Sequence, residues 1–339
     1  MRLPVVVLVL LASVRPADAA LTEVARLAAI YDSILGAAFA RADAQLAEAC
    51  PPAPAEACST LDAVSLWWQI NINPESVLID QRFMNAANKA IKASEAWTRR
   101  EPDRAEAWFY LAGAYAPLVQ WRILRGERLA AARDGAKVKA VLEHALKLDA
   151  DLADAHFGIG LYRYYADVAP AAAKVLRWFL LLPGGDREAG LREMTAARAD
   201  GQLLTGEADY QLQQIYLWYE HRPEDALALL ESLDGRYPAN PLFLQRIAEV
   251  ERVYFHDHRE SAARWLELLD RARAGRVYLP SATETRARLG LAEAQLDGGE
   301  IDAAIEQLRI VIDARPTAPV GARARAESLL HDAIARRKF

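Results

Sequence analysis

Arg104-Ala105-Glu106-Ala107-Trp108-Phe109-Tyr110-Leu111-Ala112-Gly113-Ala114-Tyr115 places apolar side chains at three- and four-residue steps, the period of a helix with one buried face. Trp108, Leu111, Ala112 and Tyr115 share that face. A small residue beside large ones lets a second helix approach closely, with aromatic rings filling the space alongside. That second helix is read over Val138 to Leu148, where Leu142 and Ala145 recur at the matching spacing. The chain then passes through Leu148-Asp149-Ala150-Asp151-Leu152-Ala153-Asp154-Ala155-His156, a short polar turn that opens the next helix.

Working outward, the same small-and-large pattern returns. Gly190, Leu191, Met194 and Ala197 form one instance, and Ala226, Leu227, Leu230 and Leu233 a second. Ala304, Ile305, Leu308 and Val311 form a third. Pro238 and Pro316 end helices where the chain must turn. Leu242 to Phe255 and Ser261 to Ala274 read as one more helix pair. These residues resemble the tetratricopeptide repeat family, with Trp108, Leu111, Ala112 and Tyr115 at the family's bulky, Leu, small and Tyr positions; the passage from Ala140 to Gly160 carries the resemblance furthest. The resemblance implies an all-α solenoid of about five helix pairs over residues 104–316, wound as a right-handed superhelix. It also implies that the first helix of each pair lines the concave face, and that the protein holds partners there.

The flanking segments lack the repeat pattern. Residues 20–103 read as a helical cap: a first stretch over Leu21 to Ala49, another over Leu61 to Ile70 containing Trp67-Trp68, and a third over Val77 to Arg99. Residues 317–339 supply a last helix, Val320 to Arg336, that closes the far end, as stacked repeats require. Two units carry insertions, at Pro117 to Arg133 and Val168 to Gly185. The second is an apolar run ending at Pro183, followed by Gly184-Gly185-Asp186-Arg187-Glu188-Ala189-Gly190-Leu191, with Asp186 as a helix cap. It resembles a segment of a eukaryotic tetratricopeptide family linked to inclusion-body clearance and to lipid-droplet or mitochondrial surfaces. The residues themselves allow a helix packed inside the superhelix, or a surface at 168–183 that docks on a membrane or an apolar helix.

The first residues read as a targeting signal. Arg2 precedes the apolar run Leu3 to Leu11, too short to span a bilayer, and Ala17-Asp18-Ala19 gives a small-residue cleavage site. The mature chain is expected to start at Ala20 or Leu21, in the periplasm or outside the cell. Two cysteines, Cys50 and Cys58, flank a proline-dense loop; an oxidising compartment would join them. The net charge of −5 leaves no basic excess for displacing counterions from nucleic acid, so a nucleic-acid partner is not expected.

No catalytic pattern or phosphate loop is present, and no cofactor or metal is expected. His256-Asp257-His258 with Glu260 is the nearest approach to a metal site, but further ligands are missing. The aromatic content is more informative: eight Trp and twelve Tyr exceed what repeat packing needs. Phe157, Tyr164, Tyr165, Tyr210, Gln214 and Trp218 are expected to form a strip on the concave face that takes a protein or peptide partner. The expected function is therefore a scaffold or adaptor of the cell envelope, not an enzyme. The alternatives are a carrier of lipid or glycan, or an enzyme or enzyme accessory acting on envelope polymers.

Overall fold

The structure, a computed structural model, describes residues 21–168, 184–313, 319 and 321–337. The segment read as a signal and the apolar run at 169–183 lie outside these residues. Among the described residues there are fifteen helices, and the fold is an all-α array of tetratricopeptide-like helix pairs.

The stretch expected as one helix over Leu21 to Ala49 is two, α1 (Val24–Leu35) and α2 (Phe39–Ala49). Gly36 closes α1 and Ala37 takes a φ of 53°, a left-handed conformation that no helix continues through. The Cys50–Cys58 disulfide, with Cα atoms 6.5 Å apart, closes the proline loop, and α3 (Ala55–Ile72) starts inside that loop, with Cys58 on its first turn. Reducing this bridge should lower unfolding stability by about 2–3 kcal/mol, the entropy of so short a loop. Urea denaturation with and without reductant measures it; coincident curves would refute it.

α4 (Asp80–Arg100) follows, then the first repeat pair, α5 (Ala105–Leu124) and α6 (Arg128–Leu148). The insertion expected at Pro117 to Arg133 is not a loop. Both helices are longer than a standard repeat, and α5 runs straight through Pro117. Proline removes one backbone N–H and crowds the carbonyl four residues back, here that of Gly113. Packing against α3, α4 and α6 holds the helix through this defect.

The remaining pairs are α7 (Ala153–Val168) with α8 (Arg187–Asp200), α9 (Thr205–Trp218) with α10 (Pro223–Arg236), α11 (Pro241–Val253) with α12 (His258–Arg273), and α13 (Pro280–Asp297) with α14 (Ile301–Asp313). α15 (Ala322–Arg336) packs on the last of them. Pro223, Pro241 and Pro280 open their helices where no N–H is needed. The side chains of Asp186, Asn240 and Asp257 accept from the backbone N–H groups of Ala189, Leu242 and Glu260.

Each second helix packs on the first helix of the next pair. At the α7–α8 crossing two glycines meet: a Cβ on Gly190 would lie 2.6 Å from the Gly160 carbonyl oxygen, and one on Gly160 would lie 2.7 Å from that of Gly190. Gly190 stands where the repeat pattern calls for alanine, because these helices approach too closely for a methyl group.

The N-terminal helices do more than cap the stack. α3 and α4 pack as a pair, and α4 packs on α5, so they continue the array. α1 and α3 then lie across the inner faces of α9, α11 and α13. Tyr31 and Trp68 both donate to Glu207, at 3.1 and 3.2 Å. The Trp68 ring sits 4.8 Å from Tyr210 and 6.2 Å from Phe243. Tyr237 donates to Asp32, and Asn240 to the Leu35 carbonyl at 2.8 Å. At the end of α3, Arg286 donates to the Ile72 carbonyl at 3.1 Å and to Glu75 at 2.8 Å. The array closes on its own beginning.

Candidate functional site

The six residues expected to line an open groove do not form one surface. Tyr210 is only 5 % exposed, packed between Trp68 and Phe243 with its hydroxyl accepting from Asn71 at 2.9 Å. The strip expected there is covered by the chain's own α3. Phe157 and Tyr164, 3 % and 0 % exposed, belong to a separate core with Met194, Leu212 and Ile215. The reason is their spacing: Phe157, Gly160 and Tyr164 are three and four residues apart and share one face, and Gly160 is the point where α8 crosses. Tyr165 and Gln214 are half-buried, and Trp218 is half-exposed at 50 %.

The rings that do meet are Tyr164, Tyr165 and Tyr219, each pair with centroids 5.7 or 5.9 Å apart in edge-to-face contact. Tyr164 donates to Glu220, which also accepts twice from Arg187, at 2.8 and 2.7 Å. The Arg187 hydrogen bonds hold the Glu220 carboxyl below its ordinary range. This node ties the α7–α8 junction to the α9–α10 turn.

Exposed large apolar side chains are concentrated at the turns that join the first helix of a pair to its second. Nine of the thirteen among the described residues sit there: Val77 and Leu78 between α3 and α4, Ile123 and Leu124 at the end of α5 with Leu129 at the start of α6, Trp218 and Tyr219 at the end of α9, and Val253 and Tyr254 at the end of α11; Leu148, Leu266, Ile310 and Ile334 lie elsewhere. Antiparallel alternation puts all these turns on one edge of the stack. Side chains fix neighbouring turns to each other. Arg125 donates to Asp80 at 2.7 and 2.8 Å and to the carbonyls of Pro74 and Ser76. Arg252 reaches Glu293 and Asp297 on α13. The sequence placed Val77 and Leu78 in a helix over Val77 to Arg99, and Val253 and Tyr254 in one over Leu242 to Phe255; α4 starts only at Asp80 and α11 ends at Val253, which leaves these residues at the turns.

A half-open apolar pocket of about 110 Å³ lies among α3, α5, α6 and α7. Buried Val64, Trp67, Phe109, Tyr110, Leu142 and Phe157 form its floor, and half-buried Ala116, Gln120, Val138 and Leu161 its rim. Glu207 stands at its edge, wholly buried, accepting from Tyr31, Trp68 and Gln211. Burial raises its carboxyl above the ordinary value of 4.5, although these hydrogen bonds pull the other way. The native state therefore holds a proton that the unfolded chain releases, so stability falls as pH rises above the ordinary carboxylate range. Glu207→Gln should remove this slope. The urea midpoint of the wild type, measured relative to the variant, should decline from pH 4.5 to 7, and a constant difference would show that Glu207 ionises freely in the folded protein.

Two further buried acids hold helices and turns in place. Asp154 accepts from the backbone N–H groups of Gln202, Leu203 and Leu204, and Asp209 pairs with Arg198 and Arg236. His256 is an exposed junction residue with a φ of 56°, and Asp257 caps α12. Among the described residues no group of three His, Cys, Asp or Glu is placed to hold a metal ion.

No family profile matches the chain, and no curated protein matches it. Among solved structures, the chain is similar to a monomeric mutant of IFIT1 with Gppp-AAAA, at 15 % identity and a TM-score of 0.40, over 88 % of this chain and 67 % of that one. It is also similar to yeast Tom70, at 14 % identity and a TM-score of 0.32, over 82 % of this chain and 65 % of that one.

Proposed function

We propose that the protein is a non-catalytic interaction scaffold, exported to the periplasm or beyond, whose protein partner docks along the turn edge and not in the groove. The observation that carries this reading is the concentration of exposed apolar and aromatic side chains on that edge, while the inner faces of α9 and α11 are occupied by α1 and α3. Contiguous exposed apolar surface costs solubility and marks contact sites. Paired charges of both signs flank the edge, including Arg187 with Glu220, Arg222 with Asp225 and Arg252 with Asp297. An apolar centre with a mixed polar rim fits a protein partner; an anionic membrane would call for a basic collar. Trp218, Tyr165 and Gln214 remain part of the contact surface in this reading, joined by Tyr219 and Tyr254.

Export rests on the Arg2 to Ala19 pattern and agrees with the Cys50–Cys58 disulfide. Among the described residues no helix is long and apolar enough to cross a membrane. The test is capture from envelope extract with the mature chain, run beside a Trp218→Ala/Tyr219→Ala variant. A protein retained by the first and lost by the second supports the reading. Equal retention by both contradicts the edge, and mature chain found only in the cytoplasm contradicts export.

A further inference from the structure

Where α2, α3 and α4 meet, a hollow of about 290 Å³ opens to solvent. Asp43 of α2 and Asp62 of α3 line it from one pair of helices, Arg82 and Lys89 from α4. Arg82 and Lys89 are seven residues apart and so share a face of α4. Elsewhere in the array charged side chains at helix contacts close on one another, as Arg125 does on Asp80, Arg252 on Glu293 and Arg271 on Asp234. In the hollow they do not. None of the four side chains makes a hydrogen bond or ion pair among the described residues, although Asp62 feels the charge of each of the other three. Asp62 is half-buried, and burial, with the neighbouring Asp43 carboxylate, raises its carboxyl above the ordinary value. Two acids and two bases therefore face one space, too far apart to pair with each other.

We infer that this hollow binds a small zwitterion of the α-amino-acid type, its ammonium held by Asp43 and Asp62 and its carboxylate by Arg82 and Lys89. Charge selects the class. A plain anion meets two carboxylates, and a plain cation meets two bases, so each is repelled by half of the lining. A zwitterion satisfies both halves, and Arg82 offers the guanidinium fork that suits a carboxylate. The rest of the wall is small and partly apolar, with Leu46, Ala47 and the bridged Cys58, which leaves room for a short aliphatic side chain. The volume exceeds that of a cavity which holds benzene, on the order of 150 Å³. The site does not rest on the docking edge, and the two readings stand or fall separately.

The test titrates the full chain, without any protein partner, with three probes at neutral pH, read by saturation-transfer NMR of the probe. L-Alanine carries both charges, L-alaninamide only the ammonium, and N-acetyl-L-alanine only the carboxylate. L-Alanine should bind saturably, and each blocked form should bind about tenfold more weakly or worse, the worth of one charge-assisted hydrogen bond. Asp62→Asn should bring the affinity for L-alanine towards that for N-acetyl-L-alanine. Arg82→Gln should bring it towards that for L-alaninamide. Both variants should keep the wild-type melting temperature, since neither side chain has a partner to lose; Arg82 is exposed, so its variant tests the site even where Asp62→Asn does not fold. Equal affinity for the three probes, or tightest binding of a singly charged one, would overturn the zwitterion. L-Alanine binding untouched by both substitutions, or no saturable signal from it, would overturn the site itself and leave the hollow to water.

Discussion

Trp68→Ala should destabilise the protein by about 3–5 kcal/mol, the usual cost of removing a large aromatic from a packed core. Trp68 is fully buried and sits at the seam between α3 and the inner faces of α9 and α11. Its removal leaves a void against Tyr210 and Phe243 and takes one of three donors from Glu207. Trp68→Phe keeps a ring in the seam but not the indole donor to the protonated Glu207, so it should cost about 0.5–1.5 kcal/mol, the range for a hydrogen bond between neutral groups. Urea denaturation followed by circular dichroism measures both. A loss below about 1 kcal/mol for the alanine variant would mean that α3 is not anchored on the repeats, since core truncations of this size cost several times more.

Trp218→Ala/Tyr219→Ala should weaken partner binding by about 2–4 kcal/mol, or roughly 30- to 1000-fold in Kd. The aromatics stand at the α9–α10 turn, with the α5–α6 and α11–α12 turns on either side of it along the edge. Trp218 is already half in water, so its removal costs the free protein little. Tyr219 gives up its contacts with Tyr164 and Tyr165, a smaller loss than that of a core residue. Leu148→Ala is the control, because Leu148 is comparably exposed but lies at the opposite end of α6 from the turn edge. Isothermal titration with the captured partner measures all three proteins. Equal affinities for wild type and double variant would remove the edge from the interface.

The array itself was legible because packing repeats leave a repeating text. Ala112, Ala145, Ala226 and Ala304 sit where helices must approach, and Pro238 ends α10 where the pattern predicts. The α1–α2 break was missed because Ala37 carries no sign of a left-handed turn beyond the preceding Gly36. The continuity of α5 was missed because proline normally stops a helix, and only the surrounding helices carry it past Pro117. The groove was misassigned for a different reason. Periodicity shows which face of a helix meets its nearest neighbour, but not that a helix far away in sequence covers the other face. α3 did hold a signal: Leu61 to Ile72 is apolar around most of its circumference, with Asp62 its one charge and only the narrow polar line Asp62, Ser65 and Gln69, and a helix with so little polar face is largely enclosed. α9 carries no such signal: Glu207, Asp209, Gln211 and Gln213 are all buried, although residues of these types mostly face water.

Hydroxyl-radical footprinting of the free protein, read residue by residue by mass spectrometry, tests the closed groove and open edge together. Trp218, Tyr219 and Tyr254 should oxidise rapidly, while Trp68, Tyr210, Phe157 and Tyr164 stay protected until the protein unfolds. Oxidation of Tyr210 at the rate of Trp218 under native conditions would show an open groove and contradict the account.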